Sequence, residues 1–296
     1  AGGPASGEVQ RLALRVTGGG IMPAMSPALL KRCAQAAARA AVSAGSLLER
    51  HAGRPRTVTA KRSAIDLVTE VDRAAERLIL RALQPVDPAF GFLGEEQGER
   101  RGGAATRWVV DPIDGTMNFV HGLPIFGVSI GLQHRDTMVL GVIYDPMRRE
   151  LFTATKGGGA LLNGRRIRVS STKTLSLSLL STGFSSTFLK QDEPYLSWFK
   201  ALQRHSHGVR RLGSSVWCLA QVAAGRLEGF YEQDLWPWDI AAGLLIVQEA
   251  LGRVTDFAGR PPALEGRQLV ATNGRIHGEL LRTLKSSSGS RVKGEG

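Results

Sequence analysis

Residues 108–119, WVVDPIDGTMNF, constrain the fold of this chain more than any other stretch. An apolar run, Trp108–Val110, ends at Asp111, and Asp114, Gly115 and Thr116 follow shortly. Such a run bounded by Pro and Gly predicts a buried strand over 107–111 that stops abruptly. Pro112 stiffens the turn between the two carboxylates. Paired acids just past a strand end suit a hard cation such as Mg²⁺, which takes oxygen ligands and keeps water or phosphate in its remaining positions. Gly115 lets a phosphate approach the backbone, and the amides after it can donate to that phosphate at a helix start. For a DxxD pair by itself, a capped turn with exposed acids is the plainer reading.

Further acids stand beside other buried-looking runs. Glu95 and Glu96 follow the apolar stretch Phe90–Leu93, and Asp239 opens the mostly apolar helix WDIAAGLLIVQEA. Asp66 sits in AIDLVTEVD, where Thr69 reads as an N-cap with Asp72 in a capping-box position. An unpaired carboxylate in such surroundings is costly, and bound cations relieve the cost. Plainer readings exist for several of these: Asp66 as a cap, Thr116 as a turn residue, Asp239 as a helix N-terminal acid.

The chain of 296 residues is long enough for one large or two smaller domains. A Gly- and Ala-rich extension over 1–25 and a polar tail over 287–296 flank two halves, 26–172 and 173–286. Helices are expected at 27–51 and 69–83, then strands at 107–111, 125–133, 137–144, 150–155 and 166–169. The second half alternates: strand 178–182, helices 194–204 and 214–224, strand 228–232, helix 238–250, strands 253–256 and 268–271, and a helix 275–285. Sheet with flanking helices in both halves implies layered α/β packing, an α+β arrangement. No apolar run reaches the ~18 residues needed to span a bilayer, so no membrane partner is expected. Cys33 and Cys218 form no CxxC pattern, which argues against a disulfide framework or zinc site and fits a reducing, cytoplasmic setting. The formal charge of +12 gathers in arginine clusters, read either as a solvated surface or as an attraction for anionic substrates or nucleic acid.

GEE, DPIDGTMNF and WDIAAG, in this order, resemble the inositol monophosphatase family of Mg²⁺-dependent phosphatases, over about residues 30–283. The resemblance is closest to the bacterial branch, through YDPMRRELFTATKGGGALLNGRRIRVS, STGF, RRLGSS and VAAGRLEGFYE. It implies an αβαβα sandwich of the inositol monophosphatase, fructose-1,6-bisphosphatase and sugar phosphatase type. It implies two or three Mg²⁺ per site, held by Glu95, Asp111, the Ile113 carbonyl, Asp114 and Asp239, with Glu96 backing these ligands or supporting a third ion. Glu95 and Thr116 would position and deprotonate the attacking water, and Asp66 would orient the Thr116 hydroxyl. Gly115 and Thr116 amides would hold phosphate; Gly213, Ser214, Ser215, Glu232 and Asp239 would face the rest of the substrate. The activity implied is hydrolysis of myo-inositol monophosphate, with histidinol phosphate, fructose-1,6-bisphosphate and 3′-phosphoadenosine phosphate as alternative substrates. Homodimers and Li⁺ inhibition are usual among relatives, and one bacterial relative joins an RNA-polymerase antitermination assembly, which leaves an RNA or RNA-polymerase partner as a reading of another class. Two departures stand out: Ser215 where Ala is frequent, and Leu251 where a Gly is frequent, a change expected to affect packing alone.

Overall fold

The computed structural model describes residues 25–54, 58–60, 67–185, 188 and 192–288. The extension up to residue 24, the tail beyond Ser288 and Asp66 lie outside them. Helices α1 (Pro27–His51) and α2 (Glu70–Leu83) come first, α2 capped by Thr69 and Asp72 in a reciprocal box. Two short strands, β1 (Val58–Ala60) and β2 (Leu67–Thr69), pair between them. An eight-stranded sheet follows, built from β3 (Gly91–Gly94), β4 (Gly98–Arg100), β5 (Thr106–Asp114), β6 (Gly127–His134), β7 (Thr137–Asp145), β8 (Glu150–Thr155), β9 (Gly159–Leu162) and β10 (Arg165–Arg166). The short helix α3 (Thr116–Val120) leaves the end of β5. A five-stranded sheet takes β11 (Leu179–Thr182), β12 (Gly208–Arg211), β13 (Gly229–Gln233), β14 (Arg253–Thr255) and β15 (Gln268–Thr272), in the order β12-β11-β13-β15-β14. Helices α4 (Tyr195–His205), α5 (Ser215–Ala223), α6 (Pro237–Glu249) and α7 (His277–Ser288) complete the described chain.

Alternation along the strands decides the layers. Trp108, Val110, Val128 and Ile130 bury against α1 and α2, whereas Val109, Ile143 and Phe152 bury on the opposite face against α5 and α6. In the second sheet Phe230, Leu269 and Ala271 face α5 and α6, and Leu180, Tyr231 and Val270 face α4 and α7. The five layers therefore run αβαβα. Helix α6 is apolar all round, Ile240 to Val247 being buried, because it lies between two sheets and has no solvent face.

Two glycines bring α6 close to the first sheet. Gly131 and Gly141 pair across β6 and β7. A Cβ at Gly141 would lie 2.6 Å from the Ala242 carbonyl oxygen, and one at Gly131 would lie 3.0 Å from the Ala241 Cβ. The helix backbone sits in that notch.

Several boundaries differ from expectation. The strand read as stopping at Asp111 continues to Asp114, because Pro112 and Ile113 are absorbed in a bulge: Asp111 pairs with Ser129 and Asp114 with Gly127. The strand expected at 166–169 is confined to Arg165–Arg166, since the Val169 amide leaves the sheet to bond the Ala250 carbonyl. Strands β1, β2, β4, β9 and β12 were not expected; each is only three or four residues long. Helix α7 runs on to Ser288, past the expected 285 and into the expected tail. Leu251, expected to matter for packing, is 65% exposed and takes φ +69 just beyond α6, so its effect is on the backbone. Cys33 and Cys218 are both free and buried. Among the described residues no helix is long and apolar enough to cross a membrane.

Two substitutions test this account. Gly141→Ala is expected to lose about 1–3 kcal/mol, read as a lower urea midpoint, because a methyl there meets helix backbone that cannot swing aside. Leu251→Gly is expected to gain about 1 kcal/mol in the same measurement, by removing a side chain from a left-handed helix terminus.

Candidate active site

Asp111, Asp114 and Asp239 meet at the junction of β5, α5 and α6, each offering a carboxylate oxygen within 4.8 Å of the others. Along an unbroken strand, residues three apart face opposite sides. The bulge at Pro112–Ile113 adds the extra residue that turns both β5 acids to one side. The third comes from α6, lowered onto the sheet by the glycine notch.

Each carboxylate is gripped from behind. The Ile113 amide donates to Asp111 Oδ1 at 2.9 Å. Asp114 Oδ2 accepts from the Ser214 hydroxyl at 2.5 Å and from the Val216 amide at 2.6 Å, at the start of α5. The Trp236 amide donates to Asp239 Oδ2 at 2.7 Å. Burial pushes the Asp114 carboxyl up to about 6, with Glu95 adding repulsion against the opposing pull of Ser214 and Val216. Asp239 is raised well above the carboxylate range by burial, then by Asp114. Acids that repel one another inside protein, with an all-oxygen donor set, fit a hard divalent cation.

Asp114 and Asp239 open on a cavity of about 450 Å³ that Glu95, Thr116, Gly183, Arg211 and Glu232 also line, with Asp111 buried behind them. Gly115, at φ +94, has no room for a side chain, since a Cβ would sit 2.9 Å from the Ile125 carbonyl oxygen. The Thr116 hydroxyl donates toward the Asp72 carboxylate and the Ile113 carbonyl, each at 3.1 Å. Sequence reasoning gave the orienting role to Asp66, which lies outside the described residues, and read Asp72 as a cap. Asp72 is both, holding Thr69 with one oxygen and Thr116 with the other.

Next to Ser214, the Ser215 hydroxyl donates to Glu232 at 2.9 Å, and both line the same cavity. Gly183 makes room for that acid, a Cβ there falling 2.0 Å from Glu232 Oε1. Burial, reinforced by Asp114 and opposed by the Ser215 hydrogen bond, pushes the Glu232 carboxyl up to about 8. Ser214 caps α5, donating to Asp114 and accepting the Trp217 amide, while Gly213 lines the cavity. The Glu96 amide is held by Glu76 on α2. Asn118 was missed from the sequence: its Nδ2 donates to the Ile125 and Leu212 carbonyls, tying the Gly115 loop to the Gly213 loop. Trp236 stacks on Trp238 with the Arg267 guanidinium 4.4 Å from its ring and also lines the cavity.

Comparison with known proteins agrees with this geometry. The sequence model of a family described as the inositol monophosphatase family matches residues 29–288. The Nus factor SuhB of Pseudomonas aeruginosa is 46% identical, over 84% of this chain and 94% of that protein. The inositol-1-monophosphatase of Rhizobium meliloti is 42% identical, over 80% of this chain and 90% of that one. The solved extragenic suppressor protein suhB from Bartonella henselae has a TM-score of 0.81 at 41% identity, covering 85% of this chain and 97% of that chain.

The raised acids set a sign for metal dependence. In metal-free protein Asp114 keeps its proton up to about pH 6, above the unfolded value of 3.8, so its contribution to stability is present at low pH and lost as pH rises through 6. Added Mg²⁺ competes with those protons. A saturating dose is expected to raise the Tm by several degrees at pH 8 and by much less at pH 5, read by scanning calorimetry.

Proposed function

The chain belongs to the inositol monophosphatase family, and from that premise we propose that it is a Mg²⁺-dependent phosphatase hydrolysing myo-inositol monophosphate to inositol and phosphate. The observation that carries the proposal is the convergence of Asp111, Asp114 and Asp239 beside a cavity that is also lined by a half-buried acid with a raised carboxyl, Glu232.

In this reading Glu95, Asp111, the Ile113 carbonyl, Asp114 and Asp239 hold two Mg²⁺ ions, and Glu96 supports them from behind or serves a third. What such ions supply when bound is neutralisation of phosphate charge, activation of water and stabilisation of the departing alkoxide. The Thr116 hydroxyl donates its hydrogen bond to Asp72 or the Ile113 carbonyl, which leaves its lone pairs to orient the attacking water. Glu95 takes that water's proton. Amides of Gly115 and Thr116 face the phosphate oxygens. With its carboxyl pushed up to about 8, Glu232 is mostly protonated at neutral pH and donates to a hydroxyl oxygen of the leaving group. Ser214 serves through Asp114, and Ser215 through Glu232, whose orientation it fixes. A polyol offers Glu232 a hydrogen-bond partner in addition to Ser215, which an apolar leaving group cannot. Histidinol phosphate, fructose-1,6-bisphosphate and 3′-phosphoadenosine phosphate remain the competing substrates, and a homodimer inhibited by Li⁺ is the expected form.

Phosphate release from a panel of these monoesters tests the proposal. Inositol monophosphate is expected to give the highest kcat/KM, with no turnover after Mg²⁺ removal and none in folded Asp111→Asn or Asp239→Asn. Glu232→Gln is expected to stay near the parent, whereas Glu232→Leu raises KM for the inositol ester by about tenfold. A preference for another monoester would move the substrate assignment and leave the chemistry standing.

A second reading rests on charge. The formal charge of +12 and exposed arginines at 165, 166, 204, 210 and 211, in a chain similar to a protein named Nus factor SuhB, favour an added RNA or RNA-polymerase partner. Retention on RNA that falls steeply with salt is its expected mark.

A further inference from the structure

Helix α2 buries two carboxylates on one face, Asp72 and Glu76, both 0% exposed. Four residues apart, they point the same way. The other buried side chains of the helix include Val71, Ala75, Ile79 and Leu83, so the face is otherwise built for packing. Replacing buried acids by apolar residues of similar volume is often neutral or stabilising, so packing alone does not account for them. Asp72 holds the Thr116 hydroxyl. Glu76 holds the other half of the site: its Oε1 accepts the Glu96 amide at 3.0 Å. Contact between Glu76 and this loop is close enough to dictate the preceding residue. A Cβ at Gly94 would lie 2.1 Å from Glu76 Oε1 and 2.8 Å from its Cδ, so Gly94 leaves the space the carboxyl fills. On its other side the loop is tied to β5, through Gly94 beside Val110 and the Glu95 amide bonded to the Val110 carbonyl. Glu95 thus sits between two fixed points, the β5 backbone before it and Glu76 behind the next peptide.

We propose that Glu76 is a positioning residue for the cation site: it anchors the Gly94–Glu96 loop through the Glu96 amide, and so aims the Glu95 carboxylate at Asp111, Asp114 and Asp239. The inference rests on the reading of Glu95 as a metal ligand. With Asp72, it makes α2 a bracket with two arms, one turn apart, that sets Thr116 and Glu95 relative to each other. In this proposal the work is done by the acceptor oxygen that receives the Glu96 amide. Burial, the largest influence on this group, raises the Glu76 carboxyl from its ordinary value, against the pull of the Glu96 amide and Gln97.

The test is calorimetric titration of the metal-free full-length protein with Mn²⁺, beside steady-state kinetics, with folding checked by circular dichroism. Glu76→Leu, which removes the acceptor, is expected to weaken Mn²⁺ binding by about tenfold or more and to lower kcat with KM for the monoester little changed. Glu76→Gln keeps a carbonyl oxygen for the Glu96 amide and is expected to bind Mn²⁺ within about threefold of the parent, the residual change reflecting the altered acidity alone. Gly94→Ala pushes on the same contact from the loop side without altering α2, and is expected to weaken Mn²⁺ as Glu76→Leu does. A folded Glu76→Leu or Gly94→Ala that binds Mn²⁺ like the parent overturns the inference. So does Glu76→Gln failing as badly as Glu76→Leu, because charge and not the acceptor would then be at work. A parent protein that binds no Mn²⁺ sinks the metal-site reading itself, and this inference with it.

Discussion

Like charges held together inside protein repel, and the architecture around this site answers that constraint. Asp111, Asp114 and Asp239 each surrender an oxygen to a backbone amide, from Ile113, Val216 and Trp236 respectively. Those amides sit at a bulge, at the start of α5 and at the start of α6, places where the chain has donors not used by regular structure. Local irregularity is therefore what makes the cluster tolerable. The pKa directions report the balance that remains: burial and mutual repulsion outweigh the donors for Asp114 and Asp239, and a divalent ion reverses the balance.

Function follows from which groups line the cavity. Asp114 and Asp239 line it with Glu95, and so does the hydrogen-bonded pair Glu232 and Ser215. Neighbouring serines at the start of α5, Ser214 and Ser215, hold Asp114 and Glu232 in turn. The Gly115 loop is held to the Gly213 loop by the Asn118 amide. In the proposed function a phosphate ester with a hydroxyl-bearing leaving group would meet both a cluster suited to cations and a raised acid suited to the leaving group.

Much of this was legible in the sequence, for a physical reason. Residues that need a special backbone or a first-turn acid announce themselves locally: Asp111, Pro112, Asp114 and Gly115 in one run, Asp239 after Trp238, Thr69 with Asp72. The layered architecture could be read as well, since the apolar stripes of α1 and α2, the all-round apolar α6 and the apolar runs of strands β5 to β8 are strong. Features made by distant packing left little trace. Gly131 and Gly141 look like ordinary strand glycines until Ala241 and Ala242 are set against them. The strand was ended at Asp111 because a bulge cannot be told from a turn when Pro and Asp compose both. Glu76 reads as one more polar residue on an amphipathic helix, because its partner amide is twenty residues away. Asn118 is invisible for the same reason.

The middle layer carries one more implication. Helix α6 supplies Asp239 from its first turn, and near its last turn Glu249 receives the amides of Gly157 and Gly159 from the β8–β9 hairpin. Its flanks are shared by both sheets, so neither half of the molecule owns it. A site assembled on such a rod is no separate folding unit: Asp239 reaches Asp111 and Asp114 only while α6 stays packed between the two sheets, so whatever loosens that interior also disperses the acids.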